Sequence, residues 1–171
     1  MLAELERVND AFGRFSPGEG PVLAVLVLVL TYIIVDDLMN YRVRNDAIMV
    51  LLCMFVVLCV VKGSVGFAYS HFFFGTVLFL VLLVMYRAGL MGGGDVKLLA
   101  VAFLWLGLEQ SFFFSLAMSA FGLVYSLGAR LELVPGKWVN GRMKVPFAPS
   151  IALAWIVTLF TPSVRWTAFV G

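Results

Sequence analysis

GSVGFAYSHFFFGTVLFLVLLVMY, residues 63–86, holds no charged side chain, and His71 is its only ionisable group apart from tyrosines. A helix needs roughly 20 apolar residues to cross the hydrocarbon of a bilayer, and this stretch supplies them. Working outward, residues 47–61 and 21–35 are also free of charge. Downstream, residues 98–108 form a short apolar run, 110–129 a long one, and 145–164 a last one. The pattern predicts an all-α, polytopic membrane protein of about six transmembrane helices. The fourth crosses only if it starts near Asp95 and ends near Gln110.

Composition agrees. Charged residues make up 13% of the 171-residue chain, and the mean hydropathy is +1.04. Soluble domains carry about a quarter charged residues, so this chain lacks the polar surface to stay in water. The net charge of +2 gives no nucleic-acid footprint. Cys53 and Cys59 sit in one apolar run and form no C-x-x-C pair, so they read as buried small hydrophobes, with no case for a metal site. No cofactor is expected.

Residues 1–20 carry four acids and two arginines and do not resemble a secretory signal. Leu2, Leu5, Val8, Phe12 and Phe15 recur at helical steps, which fits either an amphipathic surface helix or a flexible segment. Residues 21–171 then form one transmembrane domain.

Basic loops stay in the cytoplasm. With six spans, the loops 36–46, 87–97 and 130–144 share one side and hold Arg42, Arg44, Arg87, Lys97, Arg130, Lys137, Arg142 and Lys144. The opposite side holds Arg7, Arg14, Lys62 and Arg165. The first set is therefore cytoplasmic, with both termini outside.

Carboxylates at a hydrocarbon boundary are expensive, so they pair, face a cavity or do chemistry. Asp36, Asp37, Asp46 and Asp95 all fall on the cytoplasmic side. Asp95 follows Gly92-Gly93-Gly94, a triplet that ends a helix, frees the backbone and admits a close neighbour. An ordinary helix N-cap is the plainer account of Asp95, and a solvated loop acid that of Asp37. Two carboxylates brought together cannot both ionise comfortably, so they titrate as a unit. Such a dyad can hydrolyse a peptide bond: one partner takes a proton from water, and the other polarises the carbonyl.

At these residues the sequence resembles the type IV prepilin peptidases, a branch of the GxGD intramembrane aspartic proteases. Gly92-Gly93-Gly94-Asp95-Val96-Lys97 matches the family's G-x-G-D motif with its lysine two positions on. Asp37-Leu38 followed by Val43-Arg44-Asn45 matches its D-L-x-x-x-x-I-P-N stretch in spacing and final asparagine, with Arg44 where a proline is usual. That register selects Asp37, rather than Asp36, as the partner of Asp95. Lys144-Val145-Pro146-Phe147-Ala148-Pro149 is similar to the family's proline-bearing start of its last span.

The resemblance implies an aspartic endopeptidase of the inner membrane. Asp37 and Asp95 would be catalytic, with Gly92, Gly94, Lys97 and Asn45 as motif and supporting residues. The substrate would be a prepilin whose basic leader lies in the cytoplasm, with Asp36 or Asp46 contacting that leader. The chain lacks the four-cysteine segment of larger members, so it resembles the short, peptidase-only branch of the tight-adherence (Flp) pilus type. Archaeal-type preflagellin peptidases share the motifs. A scaffold or transporter component is the alternative from another class, although the halves show no self-similarity.

Lys97 either neutralises Asp95 or snorkels to the headgroups. Asn45 or Asp46 is expected to cap the second span, with Asn45 alternatively bonding near the dyad. His71 reads as a buried, hydrogen-bonded structural residue. Gly75, Gly107 and Gly122 read as sites of close helix packing. A reporter fused at Gly136 is expected to behave as cytoplasmic, and an external signal would overturn the topology.

Overall fold

A computed structural model describes residues 19–131, 137–139, 142–144 and 146–161. Nearly all of the N-terminal segment read above, together with Glu132, Gly136 and Val145, lies outside the described residues. The elements in chain order are α1 (Glu19–Asn40), α2 (Asn45–Lys62), α3 (Val65–Arg87), α4 (Gly93–Arg130), β1 (Lys137–Val139), β2 (Arg142–Lys144) and α5 (Ala148–Phe160). The fold is all-α apart from the antiparallel ribbon β1–β2, in which Lys137 pairs with Lys144 and Val139 with Arg142. The ribbon occupies the region read from sequence as a polar loop.

Helices α1 to α4 are each long and apolar enough to cross a membrane. Their outer faces are unusable in water: Leu28, Val60 and Phe112 are 69%, 76% and 80% exposed. The protein is an integral membrane protein.

The runs 98–108 and 110–129 are not separated by a loop. They form the two arms of α4, folded at Gly107, whose φ of 66° and ψ of −173° break the helix. The rings of Phe103 and Phe114 meet edge to face with centroids 5.4 Å apart. In a straight helix these residues would stand about 16 Å apart along the axis. The second arm therefore doubles back along the first.

The break strands carbonyls at the end of the first arm. His71 Nδ1 donates to the Leu104 carbonyl at 3.0 Å, and the Ser111 hydroxyl donates to the Gly107 carbonyl. The His71 ring presses so close that a Cβ at Gly107 would lie 2.8 Å from its Cε1. Gly75 and Gly122 do pack closely, against Leu104 and Phe147. Gly107 packs on His71 and also makes the fold in α4.

The core is built around the two shortest helical stretches. Residues 93–106 span roughly 21 Å, less than the ~30 Å of hydrocarbon. Val96, Leu98, Leu99, Ala102, Trp105 and Leu106 of this arm are buried. In α5, of 13 residues, Ile151, Ala152, Ala154 and Trp155 are fully buried. Trp105 and Trp155 meet edge to face at 6.0 Å, and Trp105 Nε1 donates to the Leu51 carbonyl of α2 at 3.1 Å. The longer helices pack outside: α3 against α4, and α1 against α5 and α2.

Replacing Gly107 by alanine forces an L-residue into a positive-φ extended conformation that essentially only glycine adopts, at about 1–3 kcal/mol, and drives its methyl into the His71 ring. We expect Gly107→Ala to lower unfolding stability by at least ~2 kcal/mol, measured by thermal unfolding in detergent. An unchanged midpoint would show that the fold in α4 does not need glycine.

Candidate active site

The last turn of α1 carries Asp36 and Asp37, and they face different ways. Leu23, Leu26, Leu30 and Ile33 form the buried stripe of α1. Asp37 continues that stripe at helical spacing and is only 5% exposed. Its Oδ2 has no hydrogen-bond partner, while the backbone N–H of Ala148, the first residue of α5, approaches the carboxylate. Asp36 is turned aside and accepts from Asn40 Nδ2 at 2.6 Å.

Asp95 sits in the first turn of α4, whose N-cap position is Gly92. Its carboxylate folds back over Gly92, so that a Cβ there would lie 2.9 Å from Oδ2. The glycine triplet thus acts through space rather than through unusual dihedrals. None of Gly92, Gly93 and Gly94 has a positive φ. A Cβ on Gly93 would come within 3.2 Å of the Tyr86 ring, and one on Gly94 within 3.3 Å of Val43 Cβ. The chain leaving α1 and the chain entering α4 are in contact because no side chain stands between them.

That approach puts Asp37 and Asp95 on one cavity of about 480 Å³. Its remaining walls are Tyr41 to Val43, the three glycines, and Pro146-Phe147 ahead of α5. Each carboxylate lies within electrostatic reach of the other. Tyr125, on the returning arm of α4, senses both Asp37 and Tyr41. A second, apolar cleft lies between α2 and α3. Its floor is Leu104, nine residues after Asp95. At about 100° per residue that is the opposite face of the helix, so this cleft does not communicate with the carboxylates across α4.

Lys97 and Asn45 do not line the cavity. They bond each other, Lys97 Nζ donating to Asn45 Oδ1 at 2.9 Å, and so tie the start of α4 to the start of α2. The expected cap of α2 is not made: the N-cap position is Arg44, whose side chain makes no capping bond to the helix's backbone N–H groups. The reason is competition, since Asn45 is engaged by Lys97 and Asp46 pairs with Arg44 at 2.8 Å. Asp36 and Asp46 both stand off the cavity wall.

Residues 41–43, Pro146 and Phe147 were not singled out from sequence as site residues, although the Lys144–Pro149 motif contains the last two. The available signal was position: each flanks a helix end that carries, or faces, an aspartate. Among the described residues no group of three histidine, cysteine, aspartate or glutamate side chains is placed to hold a metal ion.

No curated protein and no solved structure gives a significant match to the chain. Residues 24–127 match the type IV leader peptidase family. The matched stretch contains Asp37, the glycine triplet, Asp95 and the fold at Gly107, and covers well over half of the sequence, so the chain belongs to the type IV leader peptidase family.

Proposed function

We propose that the protein is an intramembrane aspartic endopeptidase that removes the basic leader of a Flp-type prepilin, with Asp37 and Asp95 as its catalytic pair. The observation that carries this reading is one cavity receiving two carboxylates from different helices, one of them buried with an oxygen left without a partner.

On this reading each arm of α4 counts as one pass and α5 as another, six in all, the two short stretches being covered at their ends by protein. The end of the bundle that holds the cavity also holds Arg42, Arg44, Arg87, Lys97 and Arg130, whereas Lys62 lies at the other. The excess of basic residues makes the cavity end cytoplasmic, within reach of a leader peptide in an inner membrane.

The chemistry follows from the pair. Two nearby carboxyls hold one proton between them. The ionised member takes a proton from a water as its oxygen attacks the scissile carbonyl. The protonated member hydrogen-bonds the carbonyl oxygen and stabilises the developing charge. Collapse of the tetrahedral intermediate passes a proton to the leaving amine. Bond making and breaking need only the two carboxyls and water.

Asp37→Asn and Asp95→Asn are each expected to reduce cleavage of a synthetic prepilin by roughly 100- to 10,000-fold, with the protein still inserted and folded. Asp36→Asn is expected to keep part of the activity. Full activity in either of the first two variants would remove the dyad.

Gly92→Ala tests positioning without touching an acid. The new methyl meets the end of a flexible side chain, so stability is expected to change by less than about 1 kcal/mol. The displaced Asp95 carboxylate is expected to lower cleavage about 100-fold. Cleavage at the wild-type rate would show that the carboxylate need not lie over Gly92.

A further inference from the structure

Helix α1 ends in an unusual way. Tyr41 has a φ of 53° and is the one non-glycine residue with positive φ among the described residues. Its N–H donates to the Asp37 carbonyl at 2.9 Å. This is a left-handed helix cap in which the residue after the helix bonds back one turn. Glycine is the usual occupant, because a bulky side chain in this conformation is strained.

The same molecule shows the unstrained solution elsewhere. Helix α2 ends on Gly63 at φ 61°, its N–H bonded to the Cys59 and Val60 carbonyls. The turn after α3 uses Gly89 at φ 71°. Of these three left-handed positions, only the one beside the two carboxylates carries a side chain. Tyr41 lines the cavity, and Tyr125 lies within electrostatic reach of both Tyr41 and Asp37. Strained residues collect where the strained side chain has a task.

Resting on the proposed peptidase reading, we propose that the Tyr41 ring is a substrate-contacting wall of the cavity, packing against the extended peptide beside the scissile bond and holding it over the aspartates. The left-handed turn does two things at once. It terminates α1 one turn after Asp37, and it places Tyr41 on the wall of the cavity that Asp37, Asp95 and the glycine triplet also line. An aromatic face is suited to this because it packs on an extended backbone with few rotatable bonds to immobilise. The glycine triplet adds no side chain of its own to the same cavity, which leaves the ring as the aromatic surface offered to the peptide beside the aspartates.

Four variants of the full-length protein in lipid nanodiscs test this, with a synthetic prepilin as substrate: Tyr41→Phe, Tyr41→Ala, Tyr41→Gly and, as reference, Asp37→Asn. Alanine and glycine both lose the ring, but only glycine relieves the backbone. Tyr41→Gly is therefore expected to unfold a few degrees above Tyr41→Ala. Both are expected to raise KM at least tenfold with a smaller change in kcat, and Tyr41→Phe to stay within about threefold of wild type. The inference is overturned if Tyr41→Gly keeps a wild-type KM, or if its loss falls on kcat alone, which would place the role on Asp37 rather than on the peptide. It is also overturned if glycine is no more stable than alanine, since the strain would then be absent. The dyad reading fails separately, through an Asp37→Asn variant that still cleaves, and the KM comparison among the Tyr41 variants keeps its meaning in that case.

Discussion

Two carboxylates share one cavity at the end of an apolar helix bundle, and much of the structure serves to bring them there. Neither acid is stable there alone. Bringing them together needs two backbones in near contact, and the glycine triplet provides it. Val43 occupies the space that a side chain at Gly94 would fill, and the Asp95 carboxylate occupies the space over Gly92. The contact is then locked from behind. Lys97 bonds Asn45 on the far side of α4, and Trp105 bonds the Leu51 carbonyl lower down. These bonds fix α4 to α2, and Asp95 is fixed with it. Lys97 thus meets Asp95 only through the helix it anchors, its ammonium being bonded to Asn45 rather than to the carboxylate.

Much of the site was legible in the sequence because its signals are chemical. Acids and glycines stand out against apolar runs, and the order of two aspartate motifs set the register at Asp37. The structural reason for that register was hidden. Every position of α1 from 21 to 35 is uncharged, so its buried stripe leaves no periodic trace, and only the packed structure shows Asp37 on it. The helix extents were close to the charge-free runs, because charge marks where the hydrocarbon stops. The fold in α4 was not legible as a fold. Glu109 and Gln110 suggested a loop, whereas the reversal takes the single residue Gly107, made possible by a histidine from α3 that serves a freed carbonyl. The caps expected of Asn45 and Asp46 failed for a related reason. Each had a partner from elsewhere or from its neighbour that sequence proximity to a helix start could not reveal. The β1–β2 ribbon was equally invisible, since strands of three residues are too short for an alternation to register.

The short central helices also make electrostatic sense. A helix that only lines a core need not match the bilayer thickness, because its ends are covered by protein. The first arm of α4 and α5 can therefore begin at the depth where the carboxylates sit. Both do so N-terminus first: α4 starts at Gly93 and α5 at Ala148, on two walls of the same cavity. Helix N-termini carry partial positive charge and unpaired N–H groups. One of those groups, the amide of Ala148, is directed at Asp37. Negative charge develops twice in the proposed reaction, on the ionised carboxyl and on the carbonyl oxygen of the tetrahedral intermediate. The start of α5 supplies an amide to Asp37 without a buried cation, and does so with a dipole already oriented before substrate arrives. Pro149 in the first turn of α5 fits the same arrangement, since its missing N–H is one that the helix start could not have satisfied internally. What makes α5 short is thus what brings its amides to Asp37: extended by another turn at its N-terminus, it would bury those amides in its own helix and take them away from the carboxylate.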